Sequence, residues 1–274
     1  MYTPSLGFIS PAWSAIKNGH NVVFVDVDDN LLFDFKSYKS QKIKSNNKKI
    51  LMPVLYGGVS DIPEFSDLVS DELVVVDSAH CINPNISSDY IFFSFHPVKP
   101  LTMSCGGILA TDDEGAYKYL TSYRNFGRVL KGDTYDIDDI GGFNFYMNNL
   151  NASLGISQMK SCYDNIIERK NNYQFLKNNI DKNIGYFVEH DDDSSYYLCT
   201  LILKSKSSEN LRKKLKKLQC ASSFHYPYLH ETKYFNSPYT LNNLQKLKDK
   251  IMNLPIHQNL SNENLKKLVK AINE

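Results

Sequence analysis

Ser94-Phe95-His96-Pro97-Val98-Lys99 follows an apolar run at residues 90–93 and leads to Gly106-Gly107. The run reads as a strand, so Lys99 falls just past a strand end with a hydroxyl five positions upstream. An amine there can form an imine with an aldehyde, and the hydroxyl can hold a phosphate; pyridoxal phosphate (PLP) needs both from its protein. The preceding apolar run, Val74-Val75-Val76, ends in Asp77-Ser78-Ala79-His80 and sets a carboxylate at a neighbouring strand end. On residue type alone Lys99 also reads as a solvated surface lysine, and Asp77 as the N-cap of the turn that follows it.

Further strand-like runs lie at residues 22–27, 73–76, 91–95 and 107–110. They are largely apolar on both faces, the pattern of a parallel sheet covered by helices. Helical spacing at 11–17 and 112–123 lies between some of them, which predicts an α/β layered fold with a mainly parallel sheet. Ligands in such sheets bind at the carboxyl ends of strands, where Asp77 and Lys99 fall. A long helix is expected from about residue 149 past 171, joining a large domain (1–165) to a smaller α+β C-terminal domain (166–274). In the second part, 196–203 reads as a strand, 209–218 and 239–252 as helices, and Ser261 as the N-cap of a last helix with Leu265, Leu268, Val269 and Ile272 on one face. Asp191-Asp192-Asp193-Ser194-Ser195 reads as a solvated hairpin turn rather than a cation site, and no metal is expected. The basic cluster of Arg212, Lys213, Lys214, Lys216 and Lys217 reads as the solvated side of a helix.

Bulk properties narrow the function. With 274 residues, 42% apolar and 22% charged, the chain can bury a sizeable core. A formal net charge of +1 gives no basis for binding a polyanion by bulk charge, so no nucleic-acid partner is expected. Five cysteines without a CxxC pair suit reduced thiols in the cytoplasm. No signal peptide or membrane-spanning run is read.

Taken in order, the motifs resemble the DegT/DnrJ/EryC1/StrS family of PLP-dependent sugar aminotransferases, of the aspartate aminotransferase fold type I. Besides the two strand ends, Thr3-Pro4-Ser5-Leu6-Gly7-Phe8 and Gly19-His20-Asn21-Val22-Val23-Phe24-Val25-Asp26-Val27-Asp28 match an early family segment. Arg124-Asn125-Phe126-Gly127 is similar to its Arg-Asn-His-Gly. Gly142-Phe143-Asn144-Phe145-Tyr146-Met147, then Ala152-Ser153-Leu154-Gly155 and Gln158-Met159, are similar to its Gly-x-Asn-x-Arg-Met and the helix after it. Phe224-His225-Tyr226-Pro227 and Leu254-Pro255-Ile256 match its closing signatures.

The resemblance implies a role for each residue. Lys99 becomes the Schiff-base lysine, Asp77 the partner of the pyridine nitrogen, and Ser94 a phosphate donor. His80 would bond the ring hydroxyl oxygen, or else serve as a half-buried structural histidine. Phe8 would stack on the ring, or else be plain core. Asn144 would reach the phosphate of a neighbouring subunit, implying a homodimer with shared sites. His225 would face the sugar, or else be a structural strand residue. The implied reaction moves an amino group from an amino acid, glutamate being expected, to a keto group on a nucleotide-linked sugar. Another fold-type-I enzyme acting on a small amino acid is the alternative that the Gly-x-Asn and His-Tyr-Pro signatures disfavour.

The chain also departs from the family. It begins at Met1-Tyr2-Thr3-Pro4 and contains no Ser-Gly-Thr phosphate-binding turn, which relatives carry in an earlier segment. The expectation from this is N-terminal truncation, or supply of that segment by another chain, with PLP held weakly by this chain alone. The rival reading is a non-catalytic member that keeps the fold and dimer interface. Tyr146 and Phe126 stand where relatives have Arg and His.

Overall fold

The computed structural model describes the chain except residues 42–46, 61, 63–71, 83–85, 206, 236 and 238. The chain opens with β1 (Tyr2–Pro4), α1 (Ser10–Lys17), β2 (Val23–Val25), α2 (Phe35–Gln41) and β3 (Lys49–Leu51). It continues through β4 (Glu72–Asp77), β5 (Tyr90–Ser94), β6 (Gly107–Ala110) and α3 (Glu114–Tyr123). A hairpin follows, β7 (Arg128–Lys131) and β8 (Thr134–Ile137), and then the long α4 (Asn149–Asn179). The last part holds β9 (Gly185–Phe187), β10 (Cys199–Leu203), α5 (Ser208–Lys217), α6 (Asn242–Lys246), β11 (Ile251–Leu254) and α7 (Asn262–Asn273).

The first six strands form one sheet in the order β2-β1-β3-β4-β5-β6. Strands β1 to β5 are parallel, and β6 returns antiparallel to β5. Val25, Leu51, Val74 and Val76 are buried in its core, as the doubly apolar runs require. Strand β6 differs: Ile108 and Leu109 are about half exposed, because β6 is the sheet edge. Its Gly107 is needed for close approach, since a Cβ there would lie 2.6 Å from the carbonyl oxygen of Phe93.

The second sheet, β11-β10-β9, is antiparallel and packs against the end of α4, α5 and α7. Helix α5 buries Leu211 and Leu215 and leaves Lys213, Lys216 and Lys217 exposed, as the sequence predicts. Ser261 caps α7 by accepting from Asn264 N–H, and Leu265, Leu268 and Ile272 are buried beneath it.

Two expected elements end early. Residues 239–252 are not one helix; α6 stops at Lys246, and Ile251 and Met252 pair with β10 as a strand. The expected strand 196–203 begins only at Cys199, because Tyr196 has a φ of 45° and the amides of Tyr197 and Leu198 both donate to the Gly57 carbonyl. The acidic triplet does form a turn between β9 and β10, but Asp191 is not merely solvated. It accepts from the backbone amide and the hydroxyl of Ser60 in the other sheet's territory.

The two sheets meet at Gly57-Gly58. Gly57 accepts from Tyr197 and Leu198, and Gly58 accepts from the Ser195 amide and the Ser194 hydroxyl. Gly58 has a φ of 89°, and a Cβ there would lie 2.9 Å from the His80 carbonyl oxygen and 3.0 Å from the Tyr197 nitrogen. Backbone strain of this kind costs roughly 1–3 kcal/mol, with the two backbone clashes added to it. We therefore expect Gly58→Ala to destabilise the fold by at least that amount in denaturant unfolding. A midpoint equal to that of the wild type would contradict the tight junction.

Candidate active site

Adjacent parallel strands deliver the first two groups. Asp77 is the last residue of β4 and Ser94 the last of β5, with Asp77 registered against Phe92. Asp77 is held on both sides: its amide donates to Pro53, and its carbonyl accepts from Leu55. Its Oδ1 accepts from Ala79 N–H at 2.9 Å, so it caps the following turn and still turns its carboxylate into the site. Beyond β5 the chain turns sharply, with the Lys99 amide on the His96 carbonyl at 2.9 Å and the Phe95 amide on Gly106 at 3.0 Å. The Ser94 hydroxyl accepts from His96 N–H at 3.4 Å.

These groups line one cavity of about 440 Å³. Lys99, Asp77, Ser94, His80, Phe8 and His225 all border it, so six of the seven residues picked from the sequence converge. Phe8 is 56% exposed and meets Tyr226 edge-on at 5.8 Å, on the cavity rim rather than in the core. Asn144 is the exception. It is exposed, bridges to Asn125, and lies outside this chain's own cavity. Tyr146 and Phe126 are also exposed away from it, and the Arg124 guanidinium lies 5.5 Å from the Tyr146 ring.

Two tyrosines that the motifs did not single out complete the wall. Tyr197 precedes β10, and the Lys99 ammonium lies 4.6 Å from its ring centroid. Tyr226 follows His225. Both are remote in sequence from Lys99, and the signal that could have found Tyr226 was its place in the His-Tyr-Pro motif.

Burial sets the charges. Desolvation lowers Lys99 to about 8, with Asp77 pulling partly the other way. Desolvation raises Asp77 to about 6, opposed by the Ala79 amide and Lys99. His80 is held well below the usual histidine range, by burial first and then by Lys99 and His225. His225 is lowered by burial, against its bond to Asn253. The Asn253 Oδ1 accepts from the His225 amide at 2.9 Å, and the ring Nδ1 lies 3.3 Å from that oxygen and 3.2 Å from the Ser223 hydroxyl, so both hold the ring in place.

The site therefore pairs an amine of depressed basicity with a buried carboxylate across a poorly solvated cavity. At neutral pH about one Lys99 in ten is unprotonated, against roughly 3 in 10,000 for an ordinary lysine. This combination suits covalent capture of a carbonyl and support of a cationic ring. Among the described residues no cluster of three or more His, Cys, Asp or Glu could hold a metal ion.

Family comparison matches residues 1–273 to the DegT/DnrJ/EryC1/StrS aminotransferase family. The chain belongs to that family and is an aminotransferase. Among curated relatives it is 25% identical to "GDP-perosamine synthase" of Escherichia coli O157:H7, over 99% of this chain and 77% of that protein. It is also 25% identical to "UDP-4-amino-4,6-dideoxy-N-acetyl-beta-L-altrosamine transaminase" of Campylobacter jejuni subsp. jejuni serotype O:2, over 94% of this chain and 74% of the relative. A DegT DnrJ EryC1 StrS aminotransferase from Brucella abortus superposes with a TM-score of 0.88 at 21% identity, covering 99% of this chain and 78% of that one. Spr1654 of Streptococcus pneumoniae in its PLP-form gives 0.86 at 22% identity, covering 99% and 79%. The fold is thus that of the PLP-dependent sugar aminotransferases, and the family implies PLP.

The charges make the site's reactivity testable without a substrate. The amine attacks only when unprotonated, so labelling of Lys99 by a carbonyl or aryl reagent should rise with pH with a midpoint near 8. An apparent midpoint near the usual lysine value would show that burial does not lower the amine.

Proposed function

We propose that this chain transfers an amino group from an amino acid, glutamate first among them, to the keto group of a nucleotide-linked sugar, using PLP. The observation that carries the reading is the pairing of Lys99 and Asp77 across one cavity at adjacent strand ends. The donor set fits the cofactor. When bound, PLP supplies an aldehyde for the amine and a pyridine ring that takes up electrons. Lys99 Nζ would hold it covalently and, once released, carry the proton at the reacting carbon. The Asp77 carboxylate, with Oδ1 on Ala79, has Oδ2 to accept from the ring N–H. Without cofactor, its raised pKa means that it takes up a proton below about pH 6. Ser94 Oγ would donate to the phosphate. His225, with Nδ1 held by Ser223 and Asn253, has Nε2 left for a sugar hydroxyl. The relatives' names support a UDP- or GDP-linked sugar as substrate class.

The reading extends to assembly. Asn144, exposed outside its own cavity, is suited to a partner's phosphate, and Ile156, Met159 and Tyr163 are exposed apolar residues on α4, the next helix in the chain. We take the active unit as a homodimer with shared sites. The division at 165/166 remains part of this reading, with α4 continuous through it. All five cysteines are free, as suits a cytoplasmic enzyme. Among the described residues no helix is long and apolar enough to cross a membrane.

Incubation with PLP and borohydride should leave a stable adduct on Lys99, mapped by peptide mass spectrometry. Lys99→Ala should lose both the adduct and any conversion of glutamate to 2-oxoglutarate with UDP- or GDP-linked keto-sugars, while keeping its fold. An adduct on another lysine, or turnover by the variant, would remove Lys99 from its role. Light scattering should give a dimer mass in the presence of PLP, and Asn144→Ala should weaken PLP retention without splitting that dimer. Monomer alone at high concentration would rule out shared sites.

A further inference from the structure

His80 does not present a free ring to the cavity. Gly57 N–H donates to its Nδ1 at 3.2 Å, and its Nε2 lies 3.0 Å from the Tyr226 hydroxyl. A backbone amide can only donate, so Nδ1 must be unprotonated. The neutral ring then carries its proton on Nε2 and donates it to Tyr226 Oη. The Tyr226 and Tyr197 hydroxyls are neighbours, each affecting the other's titration. The Tyr197 ring is tilted 41° to that of His80 at 4.4 Å between centroids, and the Lys99 ammonium lies 4.6 Å from the Tyr197 centroid.

The bonds thus run from Gly57 to His80 and from His80 to Tyr226, whose hydroxyl neighbours that of Tyr197, the ring beside the amine. We infer that Tyr226 is a positioning residue: it fixes His80 as the neutral Nε2–H tautomer and, through Tyr197, orients the ring against which Lys99 rests. His80 then acts within the wall, and its Nε2 proton is spent on Tyr226 rather than free for a ring oxygen. A neutral His80 also keeps a second positive charge from Lys99 and leaves Asp77 as the chief charged neighbour of the amine. The groups facing His80 are all accounted for: Tyr56, Tyr197 and Tyr226 by ring contact, and Lys99 and His225 by charge.

The catalytic meaning of this rests on the proposed function, but its test uses the protein without cofactor, so it can fail while that reading stands. In the ¹⁵N-labelled wild type, His80 should show the Nε2–H tautomer with no titration between about pH 5 and 8. In Tyr226→Phe the Nε2–H loses its acceptor, and the single-tautomer signal should give way to a mixed or titrating one. Labelling of Lys99 should slow by roughly two- to tenfold, the worth of one hydrogen bond. Tyr197→Phe removes only the hydroxyl next to Tyr226 and should leave the His80 tautomer intact, which guards against reading a general loss of structure as the effect. An Nδ1–H or titrating His80 in the wild type, an unchanged His80 signal in Tyr226→Phe, or an unchanged Lys99 rate would each overturn the inference.

Discussion

The junction at Gly57-Gly58 is the constraint on which the site depends. Three remote segments close there: the turn after Pro53, the end of β4, and the stretch before β10. Only residues without a Cβ allow the approach at Gly58, and each carbonyl of the pair takes two donors from residues 194–198. The same contact fixes His80 through the Gly57 amide and Ile82 through the Ser195 hydroxyl. The apolar core follows suit, since one buried cluster joins Leu6, Phe24 and Tyr56 to Val188, Leu198 and Ile251. The second sheet is therefore not an appendage. It supplies Tyr197 and, by way of Asn253 on β11, the bonds that hold His225.

From this closure the electrostatics follow. Burial behind aromatic rings from both parts desolvates Lys99 and Asp77, which disfavours both an ammonium and a carboxylate. Lys99 and Asp77 relieve one another only in part, which is why one is lowered and the other raised instead of both being held at ordinary values. A fully matched ion pair would keep the lysine protonated and unreactive. Separation across a poorly solvated space keeps the amine near the point where it can lose its proton at physiological pH. The aromatic wall thus tunes the Lys99 amine, beyond giving shape to the pocket.

The sequence carried the sheet and the two strand ends because local signals suffice there. Apolar runs stop at Asp77 and Ser94, and nothing distant alters where they point. Caps were legible for the same reason, as at Ser261. The misread stretch at 239–252 shows the limit. Leu244, Leu247 and Ile251 repeat at helical spacing, yet Asp249 takes a φ of 59° and the chain after it is captured by pairing with β10. A partner strand some fifty residues away overrode a local period. Tyr197 was hidden likewise: it sits in what reads as a strand, and only the Gly57 carbonyl pulls it out of the sheet and beside Lys99. The tautomer of His80 was beyond any local signal, since both of its partners are set by the fold.

Helix α4 ties these observations to assembly. Its two halves have opposite surroundings: Tyr173 and Leu176 near the C-terminal end are buried against the second sheet, whereas Leu150, Ile156, Met159, Tyr163 and Ile167 are exposed. By helical spacing Ile156, Met159, Tyr163 and Ile167 share one side, and exposed apolar side chains in such a row are costly to leave in water, at roughly 25 cal/mol for each Å² of apolar surface. The β7–β8 hairpin adds Leu130 and Ile137, and the strip around Asn144 adds Phe143 and Phe145, with Phe143 and Phe145 stacked on each other. These residues follow one another in the chain from 130 to 167, between the strand ends that build the cavity and the second sheet that closes it. Covering them with a second copy would bury the apolar row and bring Asn144 to a neighbour's site in one step. In the proposed dimer, the stretch that contributes least to this chain's own core is then the one that completes its partner's.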